Sequence, residues 1–195
     1  MRLFVALAIP HEVRAVLRAA QETLADELTD ADVRWQELAR SHLTLRFLGD
    51  VPERGLANWR FAVDSAARGT RQFMLRTGGF GVFPGPARPA VLWLGVTGET
   101  EELGHLQAQL ERALQRTGTP PSEVAFRPHL TLGRVRRIGQ EGRTRMAALL
   151  SGERPVEPVS WPVDSVQLFH SQLSPKGASH VVLHESVLTP SDAAG

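Results

Sequence analysis

The chain has 195 residues, 42% hydrophobic and 22% charged, which suits a single domain with a core large enough to need no staples. It has no cysteine, which excludes disulfides, thiolate metal sites and cysteine nucleophiles and fits a reducing cytoplasm, the location we expect. The formal net charge is +1, too balanced for coating a nucleic-acid duplex, although the basic residues are nearly all arginine and Lys176 is the one lysine.

Residues 3–9 read as a buried strand. This run lacks the cleavage site of a signal peptide, and no segment reaches the roughly 18 apolar residues of a membrane span. Residues 10–28 read as a helix, with Pro10 in its first turn and Val13, Val16, Leu17 and Leu24 on one apolar face. Residues 42–48 form a strand ended by Gly49, 52–68 a second helix, and 72–76 a third strand. Residues 77–89, "TGGFGVFPGPARP", read as a Gly/Pro-rich connection. The order then restarts. A strand at 90–96 precedes a helix at 100–117, which carries Leu103, Leu106, Leu110 and Leu114 at helical spacing. A strand at 129–135, a short helix at 140–150 and strands at 162–170 and 180–188 follow, and 190–195 reads as a frayed tail. The expected fold class is α+β: one domain of two related halves, about 1–76 and 90–188, packed around a pseudo-two-fold axis.

The second strand of each half carries the same four letters. "SHLTLRFLGD" begins at Ser41 and "RPHLTLGRVRR" at Arg127, which places His42 and His129 87 residues apart. With 7 His, 12 Thr and 25 Leu in 195 residues, His-Leu-Thr-Leu is expected about 0.007 times by chance, so two copies in matching strands mark a duplication. Packing alone would favour Val, Ile or Leu at the histidine positions. Strand alternation puts His42, Thr44 and Arg46 on one face and Leu43, Leu45 and Phe47 on the other. It likewise puts His129 and Thr131 opposite Leu130 and Leu132. If the lobes face each other, two imidazoles and two hydroxyls meet across a groove. Imidazole titrates near neutrality, so one can donate a proton while the other accepts one. In-line displacement at phosphorus requires that pairing, and threonine hydroxyls suit the non-bridging oxygens. Neither motif contains a carboxylate. We expect chemistry without metal or cofactor on an internally activated phosphodiester such as a cyclic phosphate.

The paired motifs resemble those of the two-histidine (2H) phosphoesterases, most closely the RNA 2′,3′-cyclic phosphodiesterases once called 2′-5′ RNA ligases. The resemblance extends to "MRLFVALAIP", "VRWQELARSHLTLRFLGDV", "FGVFPGPARPAVLWLGV", "FRPHLTLGRVRR" and "VQLFHSQLSPKGASHVVL", nearly the whole chain. It implies two antiparallel sheets facing across a groove with helices outside. It implies hydrolysis of an RNA 2′,3′-cyclic phosphate to a 2′-phosphomonoester, with weak ATP-independent ligation as the reverse reaction. It casts His42 as proton donor, His129 as proton acceptor, and Thr44 and Thr131 as holders of phosphate oxygens. Arg134 follows Gly133 as in the family. Strict alternation puts it on the leucine face, and a bulge at Gly133 would turn it to the groove as a substrate contact. The family often has tyrosine in the closing strand after a glycine. This chain has no tyrosine, and His180 stands near that place.

The remaining candidates have simpler readings. His11 and His105 read as surface residues, and His170, His180 and His184 as structural, with a place for one of them in the groove as the alternative. Trp35, Phe47, Phe83 and Trp93 read as core rather than base-stacking residues, with Trp35, on a loop before the first motif, the best exception. Arg46 is a candidate phosphate contact or a solvated rim residue, and Arg134, Arg136 and Arg137 steer RNA or form a solvated turn. The expected partner is an RNA end with a 2′,3′-cyclic phosphate, or a cyclic nucleotide, bound by a monomer away from membranes. The alternatives are an RNA-end or nucleotide-binding module, and a phosphodiesterase for small cyclic nucleotides or 2′-5′ oligonucleotides.

Overall fold

The computed structural model describes residues 1–152, 156–174 and 177–190. In chain order the elements are β1 (Arg2–Ala8), α1 (His11–Glu27), β2 (Ala31–Trp35), β3 (His42–Asp50), α2 (Leu56–Arg68), β4 (Phe73–Phe83), β5 (Val91–Gly98), α3 (Thr100–Arg116), β6 (His129–Ile138), α4 (Gln140–Leu150), β7 (Ser160–Val163), β8 (Ser165–Ser174) and β9 (Gly177–Val187). They form a four-stranded sheet of order β3-β1-β8-β9 and a five-stranded sheet of order β2-β6-β5-β4-β7. All pairings between these strands are antiparallel. No helix among the described residues is long and apolar enough to cross a membrane.

The sheets do not follow the chain halves. β4 pairs with β5 and β7 in the five-stranded sheet, while β8 and β9 cross over to pair beside β1. The helices cross as well: α1 packs on β6 and α4 on β4, whereas α2 and α3 pack together behind β3, β8 and β9. Each helix buries the stripe that its spacing dictates, as in α3 with Leu103, Leu106, Leu110 and Leu114. Interleaving buries both backs in one apolar cluster, which runs from Leu3, Val5 and Leu7 to Leu130, Leu132 and Leu168.

Three expected boundaries change. The connection expected at 77–89 is largely strand, because β4 continues to Phe83 and absorbs Gly78 and Gly79 in a register shift between Thr77 and Phe80. The strand expected at 162–170 is two strands, β7 and β8, and the chain changes sheets at Asp164 between them. β2, read as loop, is a short edge strand on β6, held by backbone pairing that its polar composition does not advertise. Of the tail expected at 190–195, all but Pro190 lies outside the described residues.

Both motif strands carry the same irregularity at the same place. On β3, Ala6 pairs with Thr44 but Val5 pairs with Arg46, so Leu45 is an extra residue. On β6, Trp93 pairs with Thr131 but Leu92 pairs with Gly133, so Leu132 is the extra one. Each bulge falls on the second leucine of His-Leu-Thr-Leu and reverses the alternation beyond it. On β6 the loose carbonyl is taken up: Leu132 O accepts from Gln36 N and from Gln21 Nε2 of α1, both at 2.9 Å. A side chain at Gly133 would meet Val33 Cγ1 at 2.8 Å and Trp35 Cε3 at 3.1 Å, so β2 clamps this bulge from outside.

Across the back of the four-stranded sheet, α2 is clasped to β9. Asp64 accepts hydrogen bonds from Ser186 Oγ and, at 2.6 Å, from His184 Nε2. Burial alone would raise the Asp64 carboxyl, but these two bonds outweigh it and hold it below its ordinary value. The sign follows: the clasp contributes fully above the ordinary carboxylate range and is lost as pH falls through the depressed value. Asp64→Asn is therefore expected to cost about 1–2 kcal/mol at pH 7 and to flatten the loss of stability below about pH 4. Urea unfolding at pH 7 and pH 3 checks both, and equal losses at the two pH values would show that the carboxylate is not what holds the clasp.

Candidate active site

Each motif histidine opens its strand, and each is tied the same way. His42 Nδ1 bonds to Arg40 O at 2.8 Å, and His129 Nδ1 bonds to Arg127 O at 2.7 Å. A carbonyl only accepts, so Nδ1 carries the hydrogen in both rings, and Nε2 is the atom left for chemistry. Small partners make room: His42 pairs with Ala8 and His129 with Gly95. Thr44 and Thr131 follow two residues later, and neither hydroxyl is bonded to another described residue.

Aromatic rings pack against both imidazoles. Phe4 stacks on His42 at 4.7 Å between centroids, and Phe169 stacks on Phe4 at 5.0 Å. On the other side Phe83 meets His129 edge-on at 5.0 Å, with Trp93 at 6.1 Å. The Trp93 indole lies across β4 at Gly81, where any Cβ would collide with it. Phe83 and Trp93 thus wall the site rather than only filling core.

Burial drives His42 down from 6.5 to about 4, against the opposing bond to Arg40 O. A proton on His180 or His129 would push it the same way, so the two motif imidazoles lie within electrostatic reach of each other. Burial also lowers His129, again against its carbonyl bond, and the Arg134 guanidinium adds to the depression. Both histidines are thus mainly neutral at pH 7 in the unliganded protein.

The bulges decide what else reaches the site. Beyond Leu132 the reversed alternation brings Arg134 to the face of His129 and Thr131, where its charge bears on His129. Beyond Leu45 it corrects two expectations. Arg46, expected beside His42, turns to the helix side, where Nε lies 3.3 Å from Glu111 Oε1 of α3 and Nη2 donates to Pro120 O at 2.7 Å. Phe47, expected among the core leucines, turns to the groove beside Phe4 with 68% of its surface exposed. Trp35, expected on a loop, ends β2 against Gly133. His180, read as structural, lies edge-on to His42 at 5.2 Å. Alternation from Val182, opposite Phe169, could have placed it on this face, but only with β9 known to join β1's sheet. Among the described residues no cluster of three or more His, Asp or Glu side chains has the arrangement to hold a metal ion.

Comparison with known proteins places the chain in a family. The family model for LigT-like phosphoesterases matches residues 7–93 and 94–179. The RNA 2′,3′-cyclic phosphodiesterase of Methanothermobacter thermautotrophicus is 36% identical over 177 residues, covering 91% of this chain and 93% of that protein. The protein of the same name from Thermotoga maritima is 30% identical over 190 residues, covering 95% and 94%. Among solved structures, TT0787 of Thermus thermophilus superposes with a TM-score of 0.76 at 30% identity, covering 97% of this chain and 99% of that one. Apo LigT of Escherichia coli shares the fold, with a TM-score of 0.72 at 23% identity and 96% and 97% covered. With a model match in both halves and relatives aligned nearly end to end, this chain belongs to the LigT-like phosphoesterases, a family of the two-histidine phosphoesterases.

Proposed function

We propose that the groove hydrolyses RNA 2′,3′-cyclic phosphate ends to 2′-phosphomonoesters without a metal or cofactor. The observation that carries this reading is the matched pair of imidazoles. Each is fixed through Nδ1 with Nε2 left over, and a threonine hydroxyl bonded to no other described residue lies two residues on along each strand. The names of the aligned relatives point to the same substrate.

In this reading His129 Nε2 takes a proton from water as its oxygen attacks phosphorus. His42 Nε2–H gives its proton to the departing 3′-oxygen, the P–O3′ bond breaks, and the 2′-ester bond remains. Thr44, Thr131 and Arg134 donate to the non-bridging oxygens as charge builds there. The roles are not interchangeable. Arg134 is a permanent cation beside His129 and opposes a second positive charge there. In this assignment the proton drawn in by a bound phosphodiester anion has to lodge on His42, the required acid, against the burial and the neighbouring imidazole charges that hold that ring at about 4 in the unliganded protein. The exposed Phe47 ring offers a face to a base. Attack by a 5′-hydroxyl on the same cyclic phosphate would give a 2′-5′ linkage without ATP, as a minor reaction.

Incubation of a cyclic-phosphate-ended RNA with the protein in EDTA is expected to yield the 2′-phosphate. His42→Ala and His129→Ala should each lower kcat about 10²–10⁴-fold, and Thr44→Ala or Thr131→Ala about 10²-fold. A metal requirement, or undiminished turnover in both histidine variants, would sink the mechanism. Tight binding without turnover in the wild type would instead favour a binding module.

A second expectation concerns His42 alone. It sits near 4 when unliganded, so substrate must bring a proton with it at neutral pH. The His129→Ala variant binding a 2′,3′-cyclic nucleotide, a monoanion throughout, should take up a proton with a stoichiometry approaching one near pH 7. Calorimetry in buffers of different ionisation enthalpy measures this directly, and zero uptake across pH 5.5–8 would remove His42 as the acid.

A further inference from the structure

The β8–β9 hairpin is longer than the sheet it belongs to. β1 accompanies β8 as far as the pair Leu3–His170, while the hairpin continues through Ser171–His180 to Ser174–Gly177. His180 stands at the start of this overhang. Its ring lies 5.2 Å from His42 and 5.0 Å from Phe4, edge-on to both, and 6.4 Å from Phe169. It makes no side-chain hydrogen bond to another described residue, unlike His42, His129 and His184. If the position served only to cover Phe4 and Phe169, an apolar side chain would do so without half-burying two ring nitrogens that no described residue pairs.

We propose that His180 is a third imidazole of the active groove, donating a hydrogen bond to a phosphate oxygen of the substrate beside His42. This rests on the phosphodiesterase reading of the groove. Among the described residues, the charged and titratable groups that bear on His180 are His42 of β3 and the Arg40 guanidinium just before it, with His129 and Arg134 of β6 acting on the far side of His42. All of these are cationic or neutral, so the complementary group is an anion. Two positive rings at this separation repel, so His42 and His180 take up one proton between them as the anion binds. Burial, reinforced by Arg40, lowers His180 and leaves it a neutral N–H donor at pH 7 in the unliganded protein. His180 is thus a binding residue that also sets the protonation of the acid.

Two variants separate contact from packing. His180→Phe keeps an aromatic edge against Phe4 and removes the donor. His180→Gln keeps a neutral donor and removes the titration. With a 2′,3′-cyclic nucleotide at pH 7, His180→Phe is expected to raise KM about tenfold with kcat changed less than about threefold. His180→Gln should restore KM to within about threefold of wild type. In His180→Gln the NMR titration of the His42 ring should move to higher pH, because the like charge beside it is gone. An unchanged KM in His180→Phe overturns the proposal. So does a His180→Gln variant that binds as weakly as His180→Phe while its His42 titration stays put. If His180→Phe does not fold, the His42 titration in His180→Gln decides alone. His42→Ala, assayed in parallel, reports on the underlying reading: if it turns over as fast as wild type, that reading fails, whatever the His180 variants do.

Discussion

Each motif strand accommodates, right after its His-Leu-Thr, a leucine that the partner strand cannot match, Leu45 in one and Leu132 in the other, and the composition of the groove depends on that residue. Before the bulge, ordinary alternation holds His and Thr on the open face and the first leucine in the core. After it, alternation is reversed. The residue four beyond each histidine is sent to the helices: Arg46 to its ion pair with Glu111, and Gly133 under Trp35. The residue five beyond is sent to the groove: Phe47 on one side, Arg134 on the other. A strand without the bulge would present Arg46 and hide Phe47 and Arg134. The two motif strands thus share a backbone irregularity as well as a tetrapeptide, and they differ in what they deliver, a ring in one and a cation in the other.

That difference makes the surroundings of two similarly anchored imidazoles unequal. The imidazoles are anchored alike, through Nδ1 to the carbonyl two residues back, and burial lowers both. Arg134 breaks the symmetry on the His129 side, and the Phe4–Phe169 stack with His180 breaks it on the His42 side. A permanent cation bears on one ring and a titratable imidazole on the other, and each opposes a positive charge on its neighbour.

The interleaved topology explains why the site can be rigid although it lies between two sheets. β4 belongs to the first half by sequence and to the second sheet by pairing. β8 and β9 do the converse, and α1 reaches over to bond the β6 bulge through Gln21. Separating the sheets would open the one apolar cluster that both backs share and pull α1 off the β6 bulge, so the distance across the groove is set by the same contacts that hold the core.

Much of this was legible in the chain itself. His42, Thr44, His129 and Thr131 could be read out because tetrapeptide identity and period-two alternation are local properties, visible without knowing what pairs with what. Helix faces such as Leu103, Leu106, Leu110 and Leu114 were legible for the same reason, since a period of 3.6 is written in consecutive residues. The sequence also pointed to a bulge at Gly133, because glycine in a strand marks one. Leu45 carries no such mark, so Arg46 and Phe47 were assigned to the wrong faces. Which strands join which sheet, and so the approach of His180 to His42, only the tertiary structure decided. Those are pairings between residues far apart in the chain, chosen by the burial of both sheet backs in one core, and no local pattern encodes that competition.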